Sequence, residues 1–172
     1  MAETLLLAHR HPGPPPAGAT RLALALSAEE RTRLRGLRHS RCGRPLLLQL
    51  PREQPLRPGE WLCSTAPADP TWVEVEAAPE PLLVVRSADP LALLQAAYHL
   101  GNRHVALEIR PGELRLLHDP VLAHLLSYRA LEVDTALAPF QPESGAYSHG
   151  AGHGHEHGHG HSHGHEHGEP QP

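Results

Sequence analysis

One short pattern occurs twice in the second half of the chain, and it constrains the fold more than any other feature. An apolar strand is followed by Asp-Pro, which suits a helix N-cap and the first helical position, and then by a helical pattern. The two copies are a strand at 82–86 with Asp89-Pro90 and a helix to 100, and a strand at 114–117 with Asp119-Pro120 and a helix to about 129.

A further strand is predicted after each helix, at 104–109 and at 131–136. The order βαββαβ predicts a ferredoxin-like domain, in which two helices cover one face of a four-stranded antiparallel sheet. Helical spacing gives each helix an apolar face. These faces are formed by Leu91, Leu94 and Tyr98 in the first helix and by Val121, Leu125 and Tyr128 in the second.

Short apolar stretches separated by Pro and Gly predict a small β domain before this repeat. Strands are expected at 21–26, 46–50, 61–64 and 72–76, and Ser27 with Glu30 has capping-box spacing for a short helix at 28–36. The first 20 residues, with four prolines, are expected to be irregular, and 79–81 to be a stiff joint. The predicted fold class is α+β, with a β domain at 1–79, the ferredoxin-like domain at 80–142 and a tail at 143–172.

Residues 31–41 contain five arginines and no acidic residue. A solvated basic strand or loop is one interpretation, and a docking surface for an acidic partner is the other. Up to Pro142 the chain has 15 acidic residues and 15 arginines. This neutral body argues against an electrostatic nucleic-acid surface, so no nucleic-acid partner is expected.

The end of the chain is expected to be a disordered metal-binding tail. From Ser148 to Gly168 it consists almost entirely of Gly, His and Glu, which cannot bury enough apolar surface to offset the entropy of ordering. Neutral imidazole is a strong ligand for Ni²⁺, Cu²⁺ and Zn²⁺, and Cu²⁺ is favoured in free competition. A purification tag and a role in solubility are the rival interpretations. The candidate ligands are His149, His153, His155, His157, His159, His161, His163, His165 and His167.

The heptapeptide Tyr98–His104 lies where the first helix of the repeat is expected to end. Gly101 suits the left-handed conformation that closes a helix, which places His99 in the last turn and His104 at the start of the next strand. One imidazole makes a poor metal site, but a two-fold axis through this edge turns one His104 into two facing ligands. His99 and His118 are candidate secondary ligands; each is alternatively a satisfied or solvent-facing histidine.

Several functional classes are not supported by the sequence. No apolar stretch approaches the ~20 residues that span a bilayer, and the Leu5–Ala8 run lacks the preceding basic region of a signal peptide. Cys42 and Cys63 form neither a CxxC clip nor a disulfide framework, so a reduced, cytoplasmic chain without a membrane partner is expected. There is no Gly-rich phosphate loop or nucleophile motif, so the chain is not expected to be an enzyme.

The heptapeptide closely resembles the signature of the UreE family of urease accessory proteins. The stretches Pro111–Leu114, His118-Asp119, Val121-Leu122 and Phe140–Tyr147 before a His-rich tail are similar to that family too. The resemblance covers about residues 82–147, and the first part of the chain fits more loosely.

This resemblance implies a homodimeric nickel metallochaperone that passes Ni²⁺ to the urease GTPase accessory protein and so to apo-urease. It also implies an N-terminal β domain that binds peptides or partner proteins. His104 matches the metal histidine at the family's dimer interface. His118 matches the first residue of a His-Asp-His motif whose third position is Pro120 here, so this chain lacks the second histidine of that motif.

Three functions remain open on the sequence. The first is delivery of nickel for urease assembly. The second is storage or buffering of nickel or zinc by the tail, with a body that only dimerises. The third is a peptide-binding module in which the β domain has the main role.

Overall fold

Two β-sheets, formed one after the other along the chain, organise the fold. The computed structural model describes residues 3–65, 70–127, 129 and 131–144. The elements are β1 (Leu5–His11), β2 (Arg21–Leu26), α1 (Ala28–Thr32), β3 (Arg35–His39), β4 (Pro45–Gln49), β5 (Trp61–Ser64), β6 (Trp72–Ala77), β7 (Pro79–Arg86), α2 (Pro90–Gly101), β8 (Glu108–Arg110), β9 (Glu113–Leu117), α3 (Pro120–Ser127) and β10 (Glu132–Pro139).

The first sheet has six strands in the order β2-β6-β5-β1-β4-β3, and its core consists mainly of leucine and valine. The prediction of an irregular segment over residues 1–20 is wrong, because β1 is an interior strand, parallel to β4 and antiparallel to β5. Leu7 is fully buried between these neighbours. The prolines begin only at Pro12, so they leave the preceding apolar run free to pair.

The capping box of α1 is confirmed. The Glu30 amide donates to Ser27 Oγ (3.1 Å), and the Ser27 amide donates to Glu30 Oε2 (2.9 Å). The helix ends at Thr32 and not at 36, because the following residues pair with β4 as the edge strand β3. The basic segment is therefore partly strand, as one of its two interpretations held.

The second sheet has the antiparallel order β10-β7-β9-β8, which confirms the predicted ferredoxin-like arrangement. The Asp89 carboxylate accepts from the Leu91 amide (2.9 Å), as expected of an N-cap. The expected stiff joint at 79–81 is wrong, because β7 begins at Pro79 and pairs there with Pro139. Proline is tolerated at the first residue of a strand, where its missing N–H removes no ladder bond.

Both helices pack on one face of this sheet, against Leu83 and Val85 among other residues. The residues that α2 and α3 bury there are Ala96, Leu100 and Leu126. The predicted apolar face of α2 lies on the outer side of the helix instead. Its three members are more than half exposed: Leu91 58%, Leu94 68% and Tyr98 67%. The helices therefore carry apolar residues on two faces.

Arg31 connects the two sheets. Its side chain is buried, and its guanidinium donates to the carbonyls of Leu26 (3.2 Å) and Phe140 (2.6 Å). The Glu108 carboxylate accepts from the Gln141 amide (2.9 Å) nearby. These bonds hold the segment that leaves β10 against both domains.

The longest described helix, α2, has 12 residues. In the ranges that the structure describes, no helix combines the length and apolar character needed to cross a bilayer. Cys42 and Cys63 are both free thiols.

Candidate metal centre

The backbone at the end of α2 presents His104 in a left-handed conformation. The His104 amide donates to the Gly101 carbonyl (2.9 Å), and the Val105 amide donates to the Leu100 carbonyl (3.1 Å). These two bonds form a Schellman motif in which His104 is the first residue after the cap. Its φ of +57° is the single positive value at a non-glycine residue in the described part of the chain.

The prediction that Gly101 takes the left-handed position is wrong, because α2 runs through Gly101. The Schellman motif is normally accompanied by an apolar contact between its last residue and the helix residue five positions earlier. With His104 as the left-handed residue, that pair is Val105 and Leu100, which both pack in the core of the second domain. With Gly101 in that position the pair would be polar Asn102 and Ala97. The packing of Leu100 and Val105 in the core therefore makes His104, and not Gly101, the left-handed residue.

His104 also does not open a strand, because β8 begins only at Glu108. Leu107 is buried, and its carbonyl accepts from the Glu143 amide (2.7 Å), so this segment bonds to the chain after β10. The His104 side chain is exposed. The structure thus combines an accessible imidazole with a constrained backbone, at a cost of about 1–2 kcal/mol for the left-handed conformation.

The other two fixed candidate ligands lie at the same end of the domain. His99 is in the last turn of α2, half-buried, and its carbonyl accepts from Arg103 Nη1 (3.0 Å). His118 follows β9 with an exposed side chain, and its amide donates to the Pro81 carbonyl (2.9 Å). Because β8 and β9 are antiparallel, the chain before β8 and the chain after β9 leave the sheet at one end.

The Glu143 amide, at the start of the C-terminal tail, donates to the Leu107 carbonyl. The tail therefore begins beside a residue that lies only three positions after His104 in the sequence. The tail histidines, from His149 to His167, lie outside the described residues. Within the ranges described, no three His, Cys, Asp or Glu side chains are grouped so that they can hold a metal ion. A single protomer, as far as it is described, therefore supplies imidazoles but no complete ligand set.

The residues that directly follow His118 form the start of helix α3. The Asp119 carboxylate accepts from the amides of Val121 (2.8 Å) and Leu122 (2.9 Å), and α3 begins at Pro120. Pro120 has no metal-binding group, so the His-Asp-Pro sequence offers one ligand where a His-Asp-His motif offers two.

The exposure of the apolar face formed by Leu91, Leu94 and Tyr98 is what the sequence interpretation did not predict. Val121 of α3 is likewise 72% exposed. A signal for this exposure was present, since α2 carries apolar residues at 91, 93, 94, 98 and 100, which is more than one helix face requires. An exposed apolar helix face such as that of α2 marks an interaction site.

Known proteins are similar to this chain along nearly its whole length. Residues 3–78 match the N-terminal domain of the UreE urease accessory protein, and residues 80–167 match its C-terminal domain. A urease accessory protein UreE from Synechococcus sp. (strain WH7805) is 59% identical over 128 residues, which are 74% of this chain and 71% of the relative. The UreE of Parasynechococcus marenigrum (strain WH8102) is 53% identical over 127 residues, 74% of this chain and 83% of that relative.

The UreE of Thermosynechococcus vestitus is 51% identical over 130 residues, covering 75% of this chain and 88% of the relative. Two family matches that together cover both domains, and relatives at this level of identity, agree with the resemblance carried by the heptapeptide. The chain therefore belongs to the UreE family of urease accessory proteins.

Proposed function

We propose that this chain delivers Ni²⁺ for assembly of the urease metallocentre as a homodimer that holds the ion at His104. The observation that carries the proposal is the exposed imidazole at a constrained left-handed position at the end of α2. Members of this family are accessory chaperones of urease maturation and not catalysts. The metal is therefore cargo, which the protein must both bind and release.

A second copy of the chain completes the metal site in this proposal. Metal ions such as Ni²⁺ take several ligands, and one imidazole leaves most positions to water. In a two-fold dimer the same surface of both copies is buried, so each residue near the axis faces its equivalent. The exposed apolar face of α2 leads along the helix toward His104. Burial of that face thus brings two His104 imidazoles together.

Disruption of this face tests the dimer. The double substitution Leu94→Glu and Tyr98→Glu should give a monomer, because it places four uncompensated carboxylates in one apolar interface. Sedimentation velocity gives the oligomeric state directly. Leu137→Glu is the matched control, since Leu137 is 73% exposed but lies on the edge strand β10. A dimer that survives the double substitution contradicts the proposed interface.

The remaining histidines have supporting roles in the proposal. His99 and His118 are secondary ligands near the shared site, and the tail histidines from His149 to His167 store further ions. Imidazole ligands also accept Zn²⁺ and Cu²⁺, so the tail is expected to bind all three metals. Which of these three metals the protein carries then depends on the metal ions available to it and on its partner proteins.

The proposed partners are the urease GTPase accessory protein and the apo-urease assembly complex, reached in the cytoplasm. The N-terminal domain is proposed to contact partner proteins. What supports this division is that the fixed candidate ligands His99, His104 and His118 all belong to the second domain, which leaves the surface of the first domain free for other contacts.

Storage of nickel or zinc by the tail is the alternative function, and one experiment separates it from delivery. Full-length His104→Ala keeps all nine tail histidines. Under limiting Ni²⁺, we expect it to activate apo-urease at least about tenfold more slowly than wild type, since even outer-shell partners of a metal often contribute that much. Activation is followed by urea hydrolysis in a reconstituted assembly. Unchanged activation with unchanged nickel capacity supports storage instead.

A further inference from the structure

The free edge of β3 offers an unpaired strand surface. Among the residues that the structure describes, β3 pairs with β4 alone and is the last strand of the six-stranded sheet. The Leu50 amide donates to the Leu34 carbonyl (3.1 Å), and the Ser40 amide donates to the Arg44 carbonyl (2.9 Å). Because antiparallel ladders use every second residue, the backbone groups of residues 35, 37 and 39 point away from β4, toward the free edge. Of these groups, the Leu37 carbonyl accepts from Arg38 Nη1 (2.8 Å), so an added strand displaces that guanidinium there.

This edge carries an excess of positive charge. From Arg31 to Arg44 there are six arginines and no acidic residue. Arg33 pairs with Glu29, and Arg41 pairs with Glu76. In the described ranges, Arg35, Arg38 and Arg44 have no carboxylate within ion-pair distance, and Nε of both Arg38 and Arg44 is buried without a hydrogen-bond partner.

An apolar residue lies at the centre of the edge. Leu37 is 54% exposed and is the cross-strand neighbour of Leu47, which in turn neighbours Leu6 on β1. Gly36, beside Leu37, has no side chain, and a depression of about 380 Å³ lies over the β3–β4 pair at this point. Arg35, Leu37 and His39 project from one side of the strand as a basic–apolar–basic row.

We propose that the edge of β3 binds an extended acidic segment of a partner protein by strand addition. Main-chain hydrogen bonds to residues 35, 37 and 39 supply affinity in such complexes, and side chains at alternate positions supply specificity. The matching segment has an apolar residue opposite Leu37 and carboxylates two positions away on either side. A second copy of β3 is a poor occupant, because it brings two uncompensated arginine clusters together.

This inference deepens the proposed partner-binding role of the N-terminal domain and is independent of the metal site. The probe is a fluorescein-labelled ten-residue peptide of alternating Glu and Val, with a Lys–Val peptide as its charge-reversed counterpart. Fluorescence polarisation with the full-length protein is expected to show binding of the acidic peptide only. Ni²⁺ stoichiometry is measured on every variant, so loss of peptide binding is distinguished from loss of the metal site.

Two kinds of substitution test charge and strand pairing separately. Arg35→Gln with Arg44→Gln should weaken binding by about tenfold, because charge-assisted contacts are lost. Leu37→Pro should weaken binding by about 2- to 10-fold, because it removes an outward N–H while leaving the ladder to β4 intact. Leu37→Ala, which keeps the N–H, is its control. Arg52→Gln with Arg57→Gln has the same charge change away from β3 and should bind as wild type does.

Any one of five results overturns the proposal. The first is that the acidic peptide does not bind to the wild-type protein. The second is that the Arg52/Arg57 control weakens peptide binding as much as the Arg35/Arg44 change does. Leu37→Pro binds as Leu37→Ala does, so charge acts without strand addition. A 15-nucleotide oligothymidylate binds more tightly than the peptide and is unaffected by Leu37→Pro, so the surface serves nucleic acid. The β3 substitutions dissociate the protein in sedimentation, so a second copy occupies the edge.

Discussion

In protein truncated after Tyr147, His104→Ala is expected to abolish the one relatively tight Ni²⁺ site per dimer. Each protomer loses its only imidazole at the proposed two-fold axis, and the described residues offer no group of three ligands in its place. Isothermal titration calorimetry measures the stoichiometry and the affinity. Asn102→Ala, a change in the same exposed turn, is the matched control and should keep the site.

The stability of the apo protein separates a ligand from a packing residue. An exposed His→Ala change usually alters the free energy of unfolding by no more than ~0.5 kcal/mol. His104→Gly should even raise it by up to about 1 kcal/mol, because glycine removes the left-handed strain of about 1–2 kcal/mol at some cost in backbone entropy. Thermal melts of the two variants measure this. Nickel binding that is unchanged in His104→Gly rules out the shared site, and a large loss of stability indicates a packing role.

Truncation after Tyr147 is expected to remove most of the bound Ni²⁺ equivalents from the full-length protein. The deleted segment contains nine of the 16 histidines, and the hydrophobic cores of both domains are formed by residues before it. The melting temperature of the apo protein should therefore be unchanged. Equilibrium dialysis of both proteins gives the number of ions bound.

A full-length variant with all nine tail histidines changed to Asn is the control for the truncation. It keeps the length of the chain and removes only the imidazoles. It should lose as many ions as the truncated protein does. If the truncated protein binds as much Ni²⁺ as wild type, or if the Asn variant does, the tail histidines are not the nickel store.

The elements that local chemistry determines were predictable from the sequence. The Asp-Pro pairs fix where both long helices begin, and Ser27 with Glu30 fixes the start of α1. The errors involve partners distant in the chain. β1 is a strand because β4 and β5 lie on either side of it, and nothing within the first 20 residues reports those neighbours.

The same contrast between local chemistry and distant partners applies to the candidate site. The sequence singles out His104 and the helix end beside it, but the left-handed residue depends on whether Leu100 can meet Val105 in the core. Periodicity likewise finds the face of Leu91, Leu94 and Tyr98 but does not say what covers it. One sheet can cover only one face of a helix, so only the packed structure shows which of the two apolar faces of α2 remains exposed.

The interior position of β1 has a consequence for synthesis of the protein. Leu5 pairs with Leu46, and Leu7 with Ser64, so β1 leaves the ribosome well before the two strands with which it pairs. Pairing across such distances is slow, because a long loop must close before any contact is gained. Until β5 and β6 emerge, the leucine run of β1 remains exposed to chaperones and to aggregation. The six-stranded sheet is complete in sequence only where β6 ends at Ala77, just before the second domain begins with β7 at Pro79.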